Sequence, residues 1–144
     1  METKFNFNSA ICTSKAQSER LLALGLKKET ADMVYSYVRE EHEDNYYWEL
    51  DILEGSWDSY IWPSNHIFVP AWSLHRIWVL MPKSINTDKR RYYLQMNAKG
   101  DIGYFSDNYH ALEYFYGNET IYDDCISCIE WLIKEGYFNK EYLV

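Results

Sequence analysis

The sequence predicts a single α+β domain, an antiparallel sheet of three to four strands packed by helices. Three observations carry this reading. Helix signatures with capping-box spacing stand near both ends, at Ser14 and Thr120. Between them, runs of aromatic and β-branched residues separated by turn residues read as strands with short connections. The 144 residues fit one domain (1–144), and a chain that is 47% hydrophobic and 18% aromatic can fill its own core.

The elements follow in order. A first helix is expected over residues 13–24, with Ser14 and Gln17 satisfying each other's backbone amides. Gly25 stands where a left-handed ending belongs, so that Leu26 can fold back on Leu21. A short second helix is expected over 28–35, carried by Ala31, Met33 and Val34. The alternation within 34–38 competes for a strand there. From 40 to 69 the pattern fails. One strand fits 47–53, and the remainder reads as a long ordered loop punctuated by Gly55, Pro63 and Asn65. Pro70 is expected to open the next helix, whose Leu74, Ile77, Trp78 and Met81 share one face, and Pro82 to stop it. A basic connection (Lys83, Lys89, Arg90, Arg91) leads to strands at 92–96, 102–105 and 111–116. The first two are joined by a turn over 97–100 that uses Gly100. The last helix presents Ile121, Cys125, Cys128 or Ile129, and Leu132 inward, and ends at Gly136 with Tyr137 placed to cover Leu132. The Pro70 and Thr120 helices are expected to pack on the 92–116 meander.

The formal charge is −8, from 22 acids and 14 bases. Eight acids and one base between Arg39 and Asp58 account for −7 of it, so the acidity belongs to one segment. This balance excludes general coating of DNA or RNA, which rests on Lys and Arg neutralising phosphates, and it disfavours anionic lipid. No signal-peptide h-region opens the sequence, and the longest aliphatic-aromatic run, 77–81, is far too short for a bilayer. Three cysteines without a secretion signal read as reduced thiols. The expected setting is cytoplasmic, with no membrane partner.

The residues that could carry chemistry read as structural. Cys125 and Cys128 form a CxxC, but two aspartates precede it and it lies on the apolar side of a helix, where free cysteine is core filler. Structural zinc needs four ligands, and no second such pair exists. His42, His66, His75 and His110 share no ligand spacing. Adjacent acids such as Asp123 and Asp124 are helix-start residues. No phosphate loop, nucleophile elbow or zinc-protease motif is present. The expectation is therefore no catalytic residue, no metal and no cofactor, and a protein that leans away from being an enzyme.

Five stretches carry a resemblance: TSKAQSERLL at 13–22, LGL at 24–26, ETADM at 29–33, VPAWSL at 69–74 and IEWLIKEGY at 129–137. Together they resemble a family of small proteins of gut anaerobic bacteria, their prophages and related mobile elements. The likeness covers most of the chain except about 40–68. It implies a phage or mobile-element setting and carries over no established activity, cofactor or catalytic residue.

The unusual feature is the acidic, aromatic segment 40–62. Its candidate binding residues are Glu54, Trp57, Asp58, Tyr60 and Trp62. Tryptophan and tyrosine bury large rigid surfaces while keeping a polar tip, and carboxylates around them steer a basic partner. The leading expectation is an accessory protein that binds another protein. The alternatives are a small-ligand or carbohydrate domain using the same aromatics, an enzyme without a recognisable motif, and aromatics that simply cover the sheet. The Tyr- and Trp-rich surface also leaves a homodimer open.

Overall fold

The computed structural model describes residues 10–39, 46–55, 57–59, 62 and 67–144. In chain order they form α1 (Lys15–Ala23), β1 (Met33–Arg39), β2 (Tyr46–Ile52), β3 (Ile67–Ala71), α2 (Leu74–Leu80), β4 (Ser84–Asn86), β5 (Arg91–Met96), β6 (Ile102–Phe105), β7 (Ala111–Phe115) and α3 (Ile121–Glu135). Single 3-10 turns stand at Lys28–Thr30, Trp57–Ser59 and Lys140–Tyr142. The class is α+β, as the sequence predicts. The described residues form two antiparallel sheets, ordered β2-β1-β3 and β4-β5-β6-β7.

Local signals decide both long helices. At α1 the Ser14 hydroxyl accepts from the Gln17 amide at 3.1 Å, and the Ser14 amide donates to the Gln17 side chain at 2.9 Å. At the other end Leu26 N–H donates to Leu21 C=O and Gly25 N–H to Leu22 C=O, with Gly25 at φ 101° and Leu21 and Leu26 buried. At α3 Thr120 caps the Asp123 amide, and Gly136 closes the helix at φ 79°. The two helix starts are tied together, because Gln17 Nε2 donates to Thr120 Oγ1 and Asp123 Oδ1, each at 3.1 Å. The Tyr137 amide donates to the Leu132 carbonyl at 2.8 Å, but its ring turns outward. It is exposed and stands 5.7 Å from the Trp131 ring, while Phe138 is the buried residue after the helix.

Four expectations change. The helix over 28–35 is one 3-10 turn, after which the chain enters β1, so alternation wins where β-branched and aromatic residues crowd a helix. Pro70 lies inside β3 rather than at a helix start. It is tolerated because, among the described strands, β3 lies at the sheet edge and pairs with β1 alone. The helix start belongs to Ser73, whose hydroxyl accepts from the Arg76 amide and whose own amide donates to Asp32 at 2.8 Å. The expected loop over 40–69 contains the start of β3 and the basic connection contains β4, which pairs with β5. The sheet of three strands is thus additional to the predicted meander.

Both sheets share one buried cluster. Val34 of β1, Trp72, Ile77 of α2, Tyr104 of β6 and Ile126 and Leu132 of α3 all belong to it and are inaccessible to solvent. A buried polar junction pins its edge. Thr13 N–H donates to Trp72 C=O at 2.9 Å, Trp72 N–H to Thr13 Oγ1 at 3.1 Å, and Trp72 Nε1–H to Thr30 Oγ1 at 2.9 Å.

Candidate functional site

The segment singled out by sequence borders a groove of about 620 Å³. Its lining residues are Leu22 of α1, Lys28 and Glu29 of the first 3-10 turn, Trp57, Asp58, Trp62, and Phe68 and Pro70 of β3. Each side chain arrives for a local reason. The Schellman ending of α1 turns the chain sharply. Lys27 N–H then donates to Tyr142 C=O at 2.8 Å, which docks the C-terminal turn beneath the 3-10 turn carrying Lys28 and Glu29. The register of the first sheet places Phe68 opposite Ser36 and Pro70 opposite Val34. Side chains alternate along a strand, so these two share one face.

The aromatic floor is continuous. The Trp57 and Trp62 rings lie 4.3 Å apart at 37°, and Trp62 meets Phe68 edge-on at 4.4 Å. Trp62 Nε1–H donates to the Trp57 carbonyl at 3.2 Å, which fixes the indole. Trp57 is only 8% exposed and belongs to the core cluster, whereas Trp62 is half-buried and packs against it. Lys28 Nζ stands 5.7 Å over the Trp57 ring, a cation held on an aromatic face.

Acidic groups extend from the rim. β2 pairs Glu49 with Ser36 and Asp51 with Val34, so both carboxylates share the face of Phe68 and Pro70, and both are exposed. Of the five residues proposed from sequence, Trp57, Asp58 and Trp62 meet in the groove. Glu54 is exposed and is not among the described lining residues, and Tyr60 lies outside the described residues. Leu22, Lys28, Glu29, Phe68 and Pro70 were missed. The signal that finds Phe68 and Pro70 is the alternation of β3, hidden in the sequence by its proline.

The remaining polar features resolve as structure. Cys125 and Cys128 are fully buried on α3. Burial pushes the Cys125 thiol up to about 12 and the Cys128 thiol up as well. A thiol so held is a poor nucleophile. Lys83 of the basic connection donates to the carbonyls of Trp78 and Met81 (3.1 Å for the latter), closing the end of α2, and burial lowers its pKa. His75 is exposed beside Leu74, Trp78 and Met96, His110 is exposed after β6, and His42 and His66 lie outside the described residues. Among the described residues, no three His, Cys, Asp or Glu side chains come together to hold a metal ion. No helix among them is long and apolar enough to cross a membrane. Comparison with family models, curated proteins and solved structures finds no match to this chain.

Proposed function

We propose that this protein is an accessory interaction module that seats a basic segment of a partner protein in the Trp57–Trp62–Phe68 groove. The observation that carries this reading is the coincidence of an aromatic floor with carboxylates on one face. Asp58 and Glu29 line the groove, and Glu49 and Asp51 continue the same sheet face. A partner lysine or arginine gains from both parts, since its alkyl stem covers the rings while its charge meets carboxylates. Lys28 over Trp57 illustrates the geometry within the chain itself. Clustered acids also raise the encounter rate with a basic surface. The setting we favour is cytoplasmic, in a phage or mobile-element context, as the resemblance implies.

A second reading is a small-ligand or sugar site. Pockets for such ligands run roughly 300–1,000 Å³ and are lined mainly by apolar and aromatic groups, and this groove has that size and lining.

Affinity capture from lysate of the source cell tests the first reading, with Trp62→Ala and Asp58→Arg as controls. We expect one stoichiometric partner retained by the native chain and lost by both variants, with the melting temperature little changed in Asp58→Arg and lowered but still cooperative in Trp62→Ala. Trp57→Ala is unsuitable as a control, because truncating a buried tryptophan costs about 3–5 kcal/mol. A partner that both variants still retain would remove the groove from the interaction. A thermal upshift with a sugar or nucleotide that Trp62→Ala abolishes would favour the second reading.

A further inference from the structure

The outer face of the four-stranded sheet carries a second surface, separate from the groove. Its inner face is spent on the core: Leu94 pairs with Tyr104, Ile102 pairs with Phe115, and α3 packs along β6 and β7. The alternate residues therefore face outward. Tyr93 of β5 lies opposite Phe105 of β6, and Tyr114 of β7 lies opposite Gly103. The Phe105 and Tyr114 rings are 6.0 Å apart, and Tyr116 stacks on Tyr114 at 5.5 Å and 16°. Tyr114 and Tyr116 are 42% and 64% exposed. Gly103 makes this approach possible, since a Cβ there would meet the Glu113 carbonyl at 2.3 Å and Tyr114 Cα at 2.6 Å. The rings thus run across three neighbouring strands.

A basic notch stands at one end of this row. Arg90, Arg91, Ser106, Asp107 and Asn108 enclose about 160 Å³. The backbone of Arg90 and the side chain of Arg91 are both held before any ligand arrives. The Arg90 backbone closes a turn with Thr87, its amide donating to Thr87 Oγ1 at 3.3 Å and its carbonyl accepting from Thr87 N–H at 3.0 Å. Arg91 donates to Ser84 Oγ at 3.2 Å and lies 5.5 Å over the Tyr93 ring. Two guanidinium groups, a hydroxyl and a side-chain amide form a donor set for a phosphate. Asp107 in the same notch limits the anionic charge it can take.

We propose that this face binds an unpaired nucleotide, with its base stacked on the Phe105–Tyr114–Tyr116 row and its phosphate in the Arg90–Arg91 notch. Exposed rings on a sheet stack bases regardless of sequence, and neighbouring cations track the phosphates. The overall charge of −8 does not oppose this. Almost all of it resides in residues 39–58, whose described strand β2 belongs to the other sheet. One aromatic row and one small notch suit a short unpaired stretch or a free nucleotide. They do not suit duplex coating, which needs many phosphate contacts.

Fluorescence anisotropy at low salt with labelled oligo(dT) and oligo(U) of roughly 12 nucleotides, alongside calorimetry with UMP and AMP, tests the proposal and separates strand from free nucleotide. We expect binding that weakens with added salt and falls roughly tenfold in Tyr114→Ala and again in Arg90→Ala, while Tyr114→Phe binds as the native chain does. Both truncated side chains are exposed, so melting temperatures should hold, and Trp62→Ala should leave this binding untouched. Absence of binding to every probe would overturn the proposal, as would equal affinity in Tyr114→Ala. So would a dimer, seen by light scattering, that Tyr114→Ala converts to monomer without any nucleotide response, because the row would then be a self-association surface.

Discussion

Cys125 and Cys128 lie three residues apart on α3 with no exposure to solvent, and their chemistry follows from that burial. In the folded chain the Cys125 thiol titrates at about 12 rather than the ordinary 9.0, and burial raises Cys128 in the same direction. A raised folded pKa means that the unfolded chain ionises first. The stability these thiols contribute is complete below about pH 9 and is lost as pH rises from 9 towards 12. Between pH 8 and pH 10 the urea-unfolding free energy should fall by on the order of 1 kcal/mol. The double variant Cys125→Ala/Cys128→Ala should be less stable throughout, but with a flatter alkaline slope. An unchanged slope would mean that the thiols do not control it. The sequence made this pair legible as core, because two aspartates and an apolar helical face surround it. The burial of Trp57 was not legible, since an aromatic in an irregular segment can face either way.

At the scale of elements, the two long helices were readable because their ends carry capping chemistry. Ser14 with Gln17, Gly25, Thr120 and Gly136 fix α1 and α3 through bonds made within a few residues. The face of α3 was equally readable, and Cys125, Cys128, Ile129 and Leu132 are all fully buried. Leu132→Ala should therefore destabilise the protein by about 2–5 kcal/mol in equilibrium unfolding. A loss below about 0.5 kcal/mol would be the behaviour of a surface position and would contradict this packing. The segment entering β1 offered two periodicities. The strand prevailed because β2 and β3 supply hydrogen-bonding partners on both sides. β3 itself was hidden, since Pro70 reads as a helix opener until the strand is known to lie at a sheet edge.

For the whole molecule, the arrangement of two sheets around one buried cluster has a thermodynamic consequence. Trp72 and Val34 from the first sheet region share that cluster with Tyr104 and Ile102 of the second. Neither sheet can lose its packing without exposing the other. Far-ultraviolet circular dichroism and tryptophan fluorescence should accordingly report coincident urea transitions, the mark of two-state unfolding. Two separated midpoints would mean that the sheets are independent cooperative units.

The sequence by itself determined the α+β class, both long helices and their caps, the meander of β5 to β7 and the inward face of α3. Each rests on interactions between residues within about ten positions of one another, where spacing alone encodes geometry. Only the tertiary structure decided that β1, β2 and β3 form a second sheet, that Trp57 is core while Trp62 is half-buried against it, and that Lys83 closes α2. It alone brought Phe105, Tyr114 and Arg90 to one surface. Strand partners and sheet faces are chosen by contacts far apart in the chain, and a one-residue change of register would turn every one of those side chains to the opposite face.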